Sequence, residues 1–149
     1  MRAVVQRVLR AEVRVGEECA GKIERGLCAL IAVGKGDDER DADTLADKLG
    51  GLRIFEDAEG KMNLSLLEAG GAVLAVSQFT LFGDVRKGKR PSFGEAMDPE
   101  RARQLFERCC EGLRRAGLDV QTGRFRAQMQ VELVNDGPVT ILIDTKRAF

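Results

Sequence analysis

A chain of 149 residues is long enough for one domain, 1–149, that buries roughly 68–70% of the surface its unfolded chain exposes. Hydrophobic residues make up 44% and charged ones 32%, and 24 Lys plus Arg balance 24 Asp plus Glu. That composition excludes a disordered chain, and the zero formal charge gives no support to long-range attraction of nucleic acid or an anionic membrane. There is no histidine, which excludes Ser-His-Asp and Cys-His nucleophilic sites, imidazole bases and His-ligated metals. Tryptophan and tyrosine are also missing, so a stacked base would have to lie on Phe or on an Arg plane.

Met1 to Arg10 carries three Arg and no long apolar core, so no signal peptide is expected there. Val13 and Val15 then alternate with Glu12 and Arg14, the period of a strand with one polar face. Leu27 to Val33 is continuously apolar and predicts a strand buried on both faces. Gly36 to Asp43 is acidic and leads into a helical stripe of Ala42, Leu45, Ala46 and Leu49, ended by Gly50-Gly51. Val73 to Val76 predicts a second fully buried strand. It runs into Ser77-Gln78-Phe79-Thr80-Leu81 and a plausible turn at Phe82-Gly83-Asp84. A strand end with two hydroxyls and an amide either satisfies its own backbone or lines a polar pocket.

Arg86, Lys87, Lys89 and Arg90 form a compact basic run around Gly88, followed by Pro91-Ser92-Phe93. It reads as a solvated loop or as a phosphate contact. The best-punctuated helix follows. Asp98 is its N-cap, Pro99 its first residue, Gly117 its stop, and Ala102, Leu105, Phe106, Cys109, Leu113 and Ala116 its apolar stripe. Adjacent Cys109 and Cys110 are expected on different faces of it. Met129, Val131 and Leu133, then Val139, Ile141 and Ile143, alternate as two strands. Between them, Asn135-Asp136-Gly137-Pro138-Val139-Thr140 has the composition of a hairpin turn, although Pro138 cannot donate to a ladder.

The four cysteines, Cys19, Cys28, Cys109 and Cys110, form no CxxC pair. No zinc site or other cofactor is expected, and reduced thiols fit a cytoplasmic protein. No apolar run approaches the roughly 20 residues of a membrane span. Seven or so short strands and two main helices predict an α+β fold of largely antiparallel sheets, either two packed sheets or a partly closed barrel.

Together these segments resemble the D-aminoacyl-tRNA deacylases, formerly called D-tyrosyl-tRNA deacylases, over nearly the whole chain. MRAVVQRV at the start, LRIFEDAEGKMNLSL at 52–66, VSQFTLFGDVRKGKRPSF at 76–93 and NDGPVT at 135–140 are similar to the family's segments, in the same order. SQFTL and NxGPVT are its two active-site motifs. The resemblance implies hydrolysis of the ester joining a D-amino acid, or mischarged glycine, to the 3′-terminal adenosine of tRNA, by a homodimer. Ser77, Gln78, Phe79 and Thr80 carry over as pocket and terminal-adenosine contacts. Gly137 and Pro138 carry over as a cis Gly-Pro gate whose carbonyls enter the partner's pocket and exclude an L-side chain. Arg7 would hold that gate, and Phe125 and Met129 would line the adenosine side. The family pattern there is close to FGAxM, whereas this chain has Arg126 in place of the glycine. Either the local backbone differs or the guanidinium adds a tRNA phosphate contact.

The resemblance leaves two chemical routes. Thr80 attacks and forms an acyl-enzyme, or the substrate's ribose 2′-hydroxyl helps activate water while Thr80 only positions. No base is visible for Thr80, which favours the second. The competing class is a non-catalytic binder of tRNA ends or nucleotides on the same fold. A general small-ester hydrolase is disfavoured by the missing nucleophile–base pair.

Overall fold

A computed structural model describes residues 1–149. The organising element is β1 (Arg2–Val15), whose alternating residues Ala3, Val5, Ala11 and Val13 are buried. It pairs antiparallel with β2 (Glu18–Ile23) along its second half and with β3 (Gly26–Ala32) along its first. The chain then forms α1 (Glu39–Gly51), the short strands β4 (Phe55–Glu56) and β5 (Met62–Leu64), and α2 (Leu66–Ala69). It returns as β6 (Ala72–Ser77), followed by α3 (Pro99–Arg115), β7 (Asp119–Thr122) and β8 (Gln130–Asp144).

The large sheet has the order β2-β1-β3-β6-β7, with β8 antiparallel on β1. All of β1's pairings are antiparallel, while β3–β6 and β6–β7 are parallel. Of the parallel strands, β3 and β6 are the ones read as continuous apolar runs, because each is covered on both faces. One face packs under α1 and α3 in a core of 25 buried residues. The other face gives Cys28, Leu74 and Val76 to a smaller interior cluster with Val8, Val13 and Ile23.

The sheet curls until its ends meet, giving a nearly closed barrel with two main helices. Gly21 in β2 backs directly onto β7, and a Cβ there would land on the Thr122 carbonyl. Only glycine allows that approach. Both main helices carry side-chain caps, that of α3 at the expected Asp98. Asp38 and Asp41 make a reciprocal capping box on α1. Asp98 accepts from the Arg101 N–H, with Pro99 opening α3 and Gly117 leaving it at φ +97°.

α1 ends at the glycine pair, with Gly51 its last residue and Gly50 packed beneath Leu113 and Leu118. Cys109 and Cys110 are both buried. One local expectation changes. The 135–140 segment is no hairpin turn. β8 continues through it, with β1 as partner on both sides: Val8 faces Asn135 and Gln6 faces Thr140. The extra residues bulge outward from one long strand.

Candidate active site

β6 delivers the Ser77-Gln78-Phe79-Thr80 segment to the rim of the barrel. Ser77 is the last paired residue, opposite Ile31, and the Gln78 N–H donates to the Ile31 carbonyl at 2.7 Å. The chain then tightens into a 3₁₀ turn, Phe79–Phe82. The first N–H groups of such a turn have no carbonyl partner inside it and are free to face a ligand. The Gln78 side-chain amide donates to Thr80 Oγ1 at 3.0 Å. Phe79 is exposed and meets Phe93 edge-on, with ring centroids 5.1 Å apart.

These residues open onto a cavity of about 710 Å³. Ser77, Gln78, Phe79 and Thr80 form one wall, and Phe125, Arg126 and Met129 another. Val33, Val76 and Met97 make the lining largely apolar. Arg126 is its only charged residue, no carboxylate, lysine or cysteine of this chain lines it, and the side-chain partner of the Thr80 hydroxyl is the Gln78 amide. The site therefore offers positioning and hydrogen bonds, and no side-chain base. No cluster of three His, Cys, Asp or Glu side chains is placed to hold a metal ion.

Phe125 and Met129 are held by the turn that precedes β8. Phe125 leans on Phe106 of α3 at 6.3 Å, and the Arg103 guanidinium lies 5.1 Å from its ring centre. The Ala127 N–H donates to the Arg124 carbonyl at 3.2 Å, closing a turn whose third residue is Arg126. Arg126 sits at φ +65°, a left-handed backbone that glycine adopts freely and arginine does not. The departure from FGAxM thus leaves the glycine-type backbone in place and adds a side chain to it.

Gly137 and Pro138 are not part of this cavity. They lie exposed at the crest of the bulge in β8, joined by a cis peptide bond. Gly137 has φ +142°, and a Cβ there would come within 2.7 Å of Val139 Cγ2. The bulge is held from beneath. Arg7, buried in β1, donates from Nε to the Asp136 carbonyl at 3.0 Å and from Nη1 to the Ile54 carbonyl at 2.7 Å. Asn135 closes the bulge from the other side. Its Oδ1 accepts from the Val139 N–H at 2.7 Å, and its Nδ2 donates to the Val139 carbonyl and to Gln6 Oε1, each at 3.1 Å. The sequence places Asn135 in a motif, but its role as a clamp depends on β8 running past β1.

The basic run caps a loop tied by reciprocal backbone hydrogen bonds between Asp84 and Ser92. Arg86 is spent on Asp84, with Nη2 at 2.6 Å from Oδ2. That hydrogen bond holds the Asp84 carboxyl down at about 2. Lys87, Lys89 and Arg90 are exposed and meet no carboxylate. Cys19 is exposed, and Cys28, Cys109 and Cys110 are buried free thiols.

Comparison with known proteins places the chain. Residues 4–144 match the model of the family described as D-Tyr-tRNA(Tyr) deacylase. The chain is 62% identical over 149 residues to a D-aminoacyl-tRNA deacylase of Symbiobacterium thermophilum, covering 100% of this chain and 99% of that one. It is 60% identical to a D-aminoacyl-tRNA deacylase of Thermotoga petrophila, covering 100% of both. A solved structure titled c-Myc DNA Unwinding Element Binding Protein superposes with a TM-score of 0.91 at 41% identity, covering 97% of this chain and 99% of that one. A probable eukaryotic D-amino acid tRNA deacylase shares the fold, with a TM-score of 0.81 at 20% identity, covering 95% of this chain and 97% of that one.

Proposed function

The chain belongs to the D-Tyr-tRNA deacylase family, and on that premise we propose how its cavity hydrolyses D-aminoacyl-tRNA and which residues take part. The observation that carries the reading is the strand end Ser77-Gln78-Phe79-Thr80 facing Phe125 and Met129 across one cavity. The terminal adenosine lies against Phe125 and Met129, which brings its ester to the 3₁₀ turn. Backbone N–H groups around Phe79 and Thr80 stabilise the oxyanion, and Gln78 orients the carbonyl or the ribose. Water attacks the carbonyl carbon, assisted by the ribose 2′-hydroxyl, and the 3′-oxygen leaves with a proton. Thr80 positions rather than attacks, because its only side-chain partner is the Gln78 amide.

Selection against L-residues belongs to the bulge. Gly137 and Pro138 stand outside their own chain's cavity, on an exposed crest held by Arg7 and Asn135. A crest of that kind serves the pocket of a second copy. The functional unit is therefore a homodimer in which main-chain carbonyls accept the amino group of a D-residue and clash with an L-side chain. Glycine has no side chain to exclude and passes. Lys87, Lys89 and Arg90 meet tRNA phosphates. The residues 1–149 act as one domain, without a cofactor, in the cytoplasm; no helix is long and apolar enough to cross a membrane.

A second reading is a nucleic-acid binder without turnover. The solved structure at 41% identity titled as a DNA unwinding element binding protein keeps it in view. One assay separates the two. The purified protein is incubated with matched D- and L-aminoacyl-tRNA, and deacylation is followed. D-selective turnover is expected. Equal cleavage of both would remove the gate, and binding without cleavage would establish the second reading.

A further inference from the structure

We propose that Arg126 binds the 5′-phosphate of the tRNA's terminal nucleotide, the phosphodiester that links it to the preceding residue. The inference rests on the reading of the cavity as the terminal-adenosine site. It deepens that reading by assigning an anion contact to a residue in which this chain departs from the FGAxM pattern.

Three observations carry it. First, Arg126 is the only charged residue lining the cavity. A nucleotide placed there meets no other cation of this chain at the wall, and the phosphodiester is the one group of a terminal nucleotide that always carries charge. Secondly, the guanidinium is uncommitted. Its neighbour Arg124 pairs with Glu18 and Arg103 lies over Phe125, whereas Arg126 is exposed and meets no carboxylate. An arginine with five donors and no partner, beside an apolar pocket, suits a phosphate. Thirdly, the residue is kept against a local cost. The turn closed by Ala127 and Arg124 holds Arg126 at φ +65°. Glycine would take that backbone without strain, so nothing in the turn itself calls for arginine.

Position agrees with chemistry. Arg126 directly follows Phe125 and precedes Met129 by one short turn, and both line the same cavity. Arg126 both lines the cavity and is exposed, so it stands where a nucleotide held there can reach its rim.

The test uses the full-length protein and three D-aminoacyl esters: charged tRNA, 3′-aminoacyl-adenosine, and the same nucleoside carrying a 5′-phosphate. Arg126→Ala keeps the left-handed strain and removes the charge, and Arg126→Lys keeps both strain and charge. We expect Arg126→Ala to lower kcat/KM, mainly through KM, by roughly tenfold more on tRNA and the 5′-phosphate than on the unphosphorylated nucleoside. The salt dependence of tRNA binding should fall by roughly 0.7–0.9 of a log–log unit, the share of one phosphate contact. Arg126→Lys should recover most of the loss. Arg126→Gly should melt no lower than wild type and still show the tRNA defect, which a damaged fold would not produce. Equal effects of Arg126→Ala on all three esters, or equal losses for Arg126→Ala and Arg126→Lys, would overturn the phosphate assignment. Failure of the wild type on every ester would instead overturn the reading of the cavity.

Discussion

Replacing Asn135 by alanine tests the link between the fold and the proposed stereochemical filter. Asn135 reaches across the bulge to both main-chain groups of Val139, accepting from its N–H at 2.7 Å and donating to its carbonyl at 3.1 Å. Its second amide hydrogen is shared between Gln6 Oε1 at 3.1 Å and Thr140 Oγ1 at 3.3 Å. Val139 is 7% exposed, so water does not readily replace the lost acceptor. An orphaned buried N–H costs about 1–3 kcal/mol, and the donated bonds add about 1 kcal/mol. Asn135→Ala is therefore expected to lose roughly 2–4 kcal/mol, a fall in Tm of about 4–16 °C for a chain of this size. The crest carrying Gly137 and Pro138 should loosen at the same time, and the D-to-L deacylation ratio should drop. Asn135→Asp keeps an acceptor for the Val139 N–H but turns its donors into carboxylate oxygens facing the Val139 carbonyl and Gln6. Its loss at neutral pH should shrink as pH falls towards about 4, where a protonated carboxyl can donate again. Thermal unfolding and paired D/L assays read both effects. A Tm change below about 1 °C would refute the clamp, and a large one with an unaltered D-to-L ratio would detach the bulge from selectivity.

Three further outcomes follow from the site. Thr80→Ala should keep a substantial part of kcat on a D-aminoacyl-tRNA, because no side-chain base lines the cavity; a trapped acyl-Thr80 species would reverse that conclusion. Converting Lys87, Lys89 and Arg90 to glutamine should raise KM and flatten the salt dependence of tRNA binding by about 2–3 log–log units, one share for each freed phosphate. Neutralising Arg86 as well should add little, since it is already held by Asp84; an unchanged slope in the triple variant would return the loop to simple solvation. At pH 8 a thiol reagent should modify Cys19 in the native protein and reach Cys28, Cys109 and Cys110 only on unfolding. Burial pushes the thiols of Cys28 and Cys110 up to about 11, and that of Cys109 further. Rapid modification of any of the three would show that the packing around them is open.

Much of the fold is legible in the residues because local chemistry decided it. The Asp98-Pro99 start of α3, the apolar stripe of α1 and the doubly buried β3 and β6 all follow from patterns within a few positions. What could not be read depends on partners far along the chain. A partly closed barrel is among the expected folds, but where it closes depends on Gly21 meeting Thr122, and a lone glycine in a strand does not say which backbone approaches it. The parallel order of β3, β6 and β7 depends on crossovers through α1 and α3. The short strands β4 and β5 pair at only two positions, too few to impose an alternation. Within the site, Ser77 to Thr80 could be seen as a polar strand end, but their convergence with Phe125 and Met129 is a product of tertiary folding.

The bulge shows the same division and connects it to chemistry. Asn, Asp, Gly and Pro in succession carry the composition of a turn, and a turn would reverse the chain. The chain does not reverse, because β1 is long enough to pair with β8 on both sides of the insertion. The turn-forming residues are instead pushed out of the ladder, and their backbone groups must find other partners. Asn135 and Arg7 take some of them, which leaves Gly137 and Pro138 presented rather than buried. The proposed filter of main-chain carbonyls needs that presentation. In the proposed mechanism the aminoacyl ester is already activated and brings its own 2′-hydroxyl, so the protein's task is to hold one stereoisomer beside N–H donors and keep the other out.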